Sequence, residues 1–160
     1  MGWSQRSLST WCGADLKDGE RPEDLRLEVA PLGGGAGGPI VGLGIIGFYP
    51  PGSAGNEHAE AIKRRVADLR SGFAPAAVVI DLTRMDYVWG NGLGGALMPL
   101  FSRTDGRSPV VALVATGRTG KAVRSFFDDR TSELLGLRVF DDREAALRHL
   151  VSETTVPAGG

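Results

Sequence analysis

The stretch Ala115-Thr116-Gly117-Arg118-Thr119-Gly120-Lys121-Ala122 carries residue types found in phosphate-binding loops. It follows the apolar run Val110–Val114 and opens a helical pattern. In that setting backbone N–H groups wrap a phosphate, a lysine adds charge, and a Ser or Thr hydroxyl holds Mg²⁺. Gly117, Gly120 and Lys121 are the candidate nucleotide-binding residues. Ala115 stands in place of the first glycine of such a loop, and Ala122 in place of the metal-binding hydroxyl. Asp81, which ends an earlier apolar run, would be the acidic partner of the metal. With the hydroxyl missing, nucleotide hydrolysis is not expected, and binding of a nucleotide or anion is the alternative function. No metal site, cofactor or catalytic set is expected. Asp86, Asp128, Asp129, Asp141 and Asp142 fall at strand and helix ends, where Asp serves turns and caps. Asp81 and Thr83 are expected to form a hydrogen-bonded turn. Cys12 has no His nearby in sequence to activate it. His58 and His149 lack a Cys, Asp or second His at metal spacing, and each is expected at the surface.

The elements that must position these groups alternate along the chain. Leu25-Arg26-Leu27-Glu28-Val29 alternates apolar and polar residues, as a half-buried strand does. The glycine-rich stretch Gly33–Gly38 predicts a hairpin loop, and Ile40–Ile46 a second strand paired with the first. Ala59, Ile62, Val66, Leu69 and Phe73 form one apolar stripe, which predicts a helix over Asn56–Arg70. Ala77–Leu82, Val110–Val114 and Leu137–Phe140 are short apolar runs and read as strands, the first two of them buried on both faces. Helices are predicted over Asn91–Ser102, kinked at Pro99, over Gly117–Phe127 and over Asp142–Val151. Thr131–Leu135 reads as a short turn closed by Gly136. Alternating strands and helices after an initial hairpin imply an α/β fold with a mixed, mostly parallel sheet.

Composition narrows the function. At 160 residues the chain supports one domain, with 42% hydrophobic and 23% charged residues as in soluble globular proteins. A net charge of -1 with no basic block argues against nucleic acid as a partner. No run approaches membrane-spanning length, Cys12 is the lone cysteine, and the N-terminus lacks a signal-peptide core, so a cytoplasmic location with no membrane partner is expected. Residues 1–24 are polar apart from Trp3, Leu8, Trp11 and Leu16 and are expected as a flexible arm. The domain is expected over 25–151, with a flexible tail over 152–160.

The segment Val79-Ile80-Asp81-Leu82-Thr83-Arg84-Met85-Asp86-Tyr87-Val88-Trp89-Gly90-Asn91-Gly92-Leu93-Gly94-Gly95-Ala96-Leu97 resembles the core of a STAS domain, the domain of anti-sigma factor antagonists. Asp81-Leu82-Thr83, Tyr87-Val88 and Gly92-Leu93-Gly94 match the family pattern in place. Its Asp-Ser-Ser triplet is replaced by Trp89-Gly90-Asn91, so the phosphorylatable hydroxyl is missing. The end of the chain, from Leu134-Leu135-Gly136-Leu137 through Glu144-Ala145, is also similar to that of a STAS domain. The resemblance implies a single STAS-like domain with helices mainly on one face of the sheet. It implies a non-catalytic protein-interaction role in bacterial signalling and transcription regulation, as an anti-sigma factor antagonist or scaffold. The partner would be a protein such as an anti-sigma factor or a switch kinase, and a homo-oligomer falls within this reading. The partner-binding face would comprise Asp86, Trp89, Gly90, Asn91, Gly92 and Leu93. A large aromatic at Trp89 is either a core plug or an exposed anchor for a partner, and its neighbours Gly90, Asn91 and Gly92 favour exposure.

Overall fold

A computed structural model describes residues 25–35, 37–87, 92–102 and 108–155. The proposed arm over 1–24, residues 88–91 with Trp89, Gly90 and Asn91 among them, and residues 36, 103–107 and 156–160 lie outside the described residues.

The apolar runs without alternation become the centre of the sheet, because a strand covered on both faces needs no polar side. Strand β3 (Ala77–Asp81) is buried along its whole length, and β5 (Val110–Val114) is buried from its second residue. They pair in parallel, with Ala77 opposite Val110 and Asp81 opposite Val114. Strand β2 (Gly38–Phe48) lies on the other side of β3, also parallel, and β6 (Leu137–Phe140) extends the parallel set beyond β5. Strand β1 (Arg26–Gly35) joins β2 antiparallel, giving the order β1-β2-β3-β5-β6. The two-residue strand β4 (Met85–Asp86) pairs with the end of β2 outside that path. The sheet is thus mixed and mostly parallel, as the alternation of elements implies.

Two cores flank it. One face, carrying Val41, Leu43, Ile45, Val78, Ile80, Val111 and Leu113, meets Ile62, Val66 and Leu69 of helix α1 (Asn56–Phe73). The same core takes Leu93, Ala96 and Leu97 from α2 (Gly92–Leu97) and Val123 from α3 (Gly117–Phe126). The opposite face, with Ile40, Ile46, Ala77, Val79, Ala112 and Val114, is covered by Ala146, Leu147 and Leu150 of α5 (Arg143–Thr155). Helices therefore lie mainly on one face. Burial of this many aliphatic side chains, at about 1.5–3 kcal/mol each, is the main favourable term in the fold.

Several boundaries depart from the sequence reading for identifiable reasons. The glycine-rich hairpin loop is mostly ladder: β1 runs to Gly35 and β2 restarts at Gly38, with Gly34 opposite Pro39. Gly33 and Gly38 both take positive φ (125° and 124°), which allows the strands to continue into a tight turn. The register shifts between Pro31 and Gly33, a bulge where proline cannot donate to the ladder. Helix α2 does not kink at Pro99 but ends at Leu97 and tightens into a 3-10 turn over Met98–Leu100. Proline has no N–H and its ring crowds the carbonyl four residues back, so the α-helix stops before it. The turn at Thr131–Leu135 is a helix, α4 (Asp129–Leu135). The Asp128 carboxylate caps it by accepting from Thr131 N at 2.8 Å, and Gly136 closes it at φ 66°. Helix α5 continues four residues beyond Val151, so Ser152–Thr155 are helical rather than tail. Thr154 is buried there, its hydroxyl donating to Leu150 O at 2.8 Å.

Candidate functional site

The C-terminal ends of the parallel strands, where α/β sheets usually gather their functional groups, bring together both stretches singled out in the sequence. Asp81 ends β3 with its side chain fully buried. Its Oδ1 accepts from the Thr83 amide at 2.8 Å and the Thr83 hydroxyl at 2.6 Å, the turn expected from the sequence. Its Oδ2 lies 2.6 Å from Arg143 Nε on the first turn of α5, without the angle of a directed hydrogen bond, so charge attraction holds the contact. This ion pair closes the sheet end against α5 and leaves Asp81 committed to structure.

The segment after Asp81 turns back onto β2. Gly47 N donates to Arg84 O, and Tyr49 N donates to Asp86 O, each at 3.0 Å. Helix α3 secures it from the other side through Thr119, which is 4% exposed. The Thr119 hydroxyl donates to Met85 O at 2.8 Å and accepts from Tyr87 N at 3.2 Å. Arg118 Nη2 pairs with Asp86 Oδ1 at 2.9 Å on the surface. Asp86, a residue of the implied partner face, and Arg118, from the phosphate-like loop, therefore belong to one contact.

Tyr87 is buried, and its ring meets that of Tyr49 edge to face, 5.4 Å between centroids. Burial pushes both hydroxyls above the usual tyrosine range, and Tyr49 beside it raises Tyr87 further. Of the implied partner face, Asp86 and Gly92 are partly exposed, whereas the Leu93 side chain packs in the core. Gly94 lies against α3, where a Cβ would meet the Phe126 ring at 2.1 Å.

The phosphate-like loop is divided between packing and surface. Gly117 opens α3 at φ 59° and is exposed. Gly120 is buried, its N–H donates to Thr116 O at 2.9 Å, and a Cβ on it would stand 3.0 Å from Ala115 O. Lys121 is exposed. Among the described residues no group of three His, Cys, Asp or Glu side chains is placed to hold a metal, and no helix is long and apolar enough to cross a membrane.

Both histidines sit deeper than expected. His58 is half-buried, its ring 6.0 Å from that of Tyr49, with a buried Nδ1 that has no hydrogen-bond partner. His149 lies on the Phe140 ring at 5.3 Å, and burial, with Arg138 nearby, lowers its pKa against a smaller opposing effect of Glu153. Sequence reasoning also missed Arg143 and the bridging role of Thr119. Nothing in either residue type signals a partner so far along the chain.

This sheet order, with helices mainly on one face, is that of a STAS fold. The chain is similar to the crystal structure of an anti-sigma factor antagonist from Mycobacterium paratuberculosis, with a TM-score of 0.52 and 18% identity, covering 82% of this chain and 97% of that one. The likeness is one of fold. No protein-family model and no curated protein matches the sequence.

Proposed function

We propose that the chain is a non-catalytic STAS-like interaction domain of bacterial signalling, acting in the cytoplasm as an anti-sigma factor antagonist or a scaffold subunit. The observation that carries this reading is the fold shared with an anti-sigma factor antagonist over nearly the whole of that protein. The proposed partner face comprises Asp86, Trp89, Gly90, Asn91, Gly92 and Leu93, and the proposed partner is an anti-sigma factor or a switch kinase. Binding is not switched by phosphate on this face. From Tyr87 to Gly95 the sole hydroxyl is that of Tyr87, which is buried. A phosphoryl group needs a hydroxyl that a kinase can reach, and it would bring nearly two negative charges. Control of binding, where there is any, is exerted elsewhere in the chain.

Titration calorimetry against purified anti-sigma factors and switch kinases of the host tests the reading. One of them should bind, and Trp89→Ala should weaken it roughly 30-fold, equivalent to about 2 kcal/mol on the scale of interface anchors. The reading fails if none binds. It also fails if ATP or GTP binds and is turned over in a manner lost in Lys121→Ala.

A further inference from the structure

Tyr49 touches four separate parts of the chain. Its own amide is tied to Asp86 O at 3.0 Å. Its ring stacks edge to face on Tyr87 at 5.4 Å and lies 6.0 Å from His58 of α1. A Cβ on Gly55 would stand 2.6 Å from Tyr49 Cε1, so the 3-10 turn before α1 is pressed against the ring. A Cβ on Gly92 would stand 2.3 Å from Tyr49 Oη, so the start of α2 rests on the hydroxyl. The side chain is 1% exposed and its Oη has no hydrogen-bond partner. A buried hydroxyl without a partner is costly to keep. Its observed contact is steric: it fills the place a side chain at position 92 would take.

Tyr87 and Gly92 are the described residues on either side of 88–91. We infer that Tyr49 is a positioning residue: its ring sets Tyr87 and its hydroxyl sets Gly92, fixing the two points between which the segment carrying Trp89 must run. The functional weight of this rests on the proposed partner face, but the positioning itself does not require a partner. The hydroxyl acts as a spacer against a glycine, so the contact is predicted to be exchangeable. A methyl group on residue 92 can replace the oxygen on residue 49. With the oxygen gone, that Cβ would face Tyr49 Cζ at 3.6 Å, an ordinary contact, and the Ala59 Cβ at 3.3 Å, a tight one.

The experiment uses the full chain with Trp3→Phe and Trp11→Phe, which leaves Trp89 as the lone tryptophan. Emission maximum, acrylamide quenching and thermal melts are recorded for Tyr49→Phe, Gly92→Ala and the two combined. Tyr49→Phe should melt no lower than its parent, since an unpartnered buried hydroxyl is removed, yet shift the emission or quenching of Trp89. Gly92→Ala alone should lower the melting temperature, because Tyr49 is held between Gly55 and Tyr87 and has no room to yield. The double variant should recover both the melting temperature and the Trp89 signal towards the parent. Parental Trp89 emission and quenching in Tyr49→Phe would overturn the inference. So would a double variant no better than Gly92→Ala, including one that does not fold. None of these outcomes depends on a partner, so failure of the proposed function and failure of this inference are separately visible.

Discussion

Replacing Thr119 by valine should detach α3 from the segment that leads to the candidate face. The exchange keeps the shape of the side chain and removes one oxygen. That oxygen makes two contacts within a buried setting, a donation to Met85 O at 2.8 Å and an acceptance from Tyr87 N at 3.2 Å. Stranding a buried polar group costs about 1–3 kcal/mol. The Met85 carbonyl loses a well-formed bond and the Tyr87 amide a longer one, so about 2–3 kcal/mol is expected in total. For a chain of this size that corresponds to a fall of about 6–9 °C in melting temperature. Urea denaturation followed by far-ultraviolet circular dichroism measures it, and the denaturant slope should stay constant if both states keep their exposed surface. Thr119→Ser retains the oxygen and should recover most of the loss. A Thr119→Val protein within about 0.5 kcal/mol of the parent, the range of an unremarkable surface exchange, would refute the argument that this hydroxyl holds the segment.

Other expectations come from the same packing. Gly94→Ala should destabilise by about 1–3 kcal/mol as an overpacked contact with Phe126, whereas Gly95→Ala, with open space around its Cβ, should stabilise by up to about 1 kcal/mol through helix propensity; paired urea melts compare them. Asp81→Asn keeps an acceptor for Thr83 but ends the charge attraction to Arg143, and should cost about 2 kcal/mol, less than a fully enclosed pair because Arg143 is partly exposed. The lowered pKa of His149 means that the unfolded chain binds its proton first as pH falls. Its contribution is therefore complete above the unfolded imidazole value of 6.5 and is lost as pH drops from there through the lower folded value. Urea midpoints between pH 5 and 8 should show that slope in the parent and a flatter one in His149→Gln.

The parts of the fold legible in the sequence are those dictated by local pattern. Ala77–Asp81 and Val110–Val114 announce themselves because a strand covered on both faces has no polar side to interrupt it. The Asp81–Thr83 turn and the Gly136 closure are equally local. What the sequence concealed is set by contacts between distant segments. Met85–Asp86 is a strand only because the end of β2 lies beside it. Thr119 reads as part of a phosphate loop, yet its hydroxyl serves Met85 and Tyr87. His58 and His149 read as surface residues because periodicity does not say that Tyr49 and Phe140 will shelter them. Gly92 and Gly94 match a family pattern in the sequence, but the aromatic rings packed against them, Tyr49 at Gly92 and Phe126 at Gly94, were not legible.

The central claim is that this STAS-fold chain binds a protein partner without a phosphate switch on the segment from Tyr87 to Gly95. The most direct test is intact-mass spectrometry after incubation with a switch kinase, ATP and Mg²⁺, with calorimetric titration of the same sample against the bound partner. The account predicts no phosphate on that segment and the same affinity before and after incubation. Stoichiometric phosphate mapped between Tyr87 and Gly95, with affinity lost as it accumulates, would contradict it.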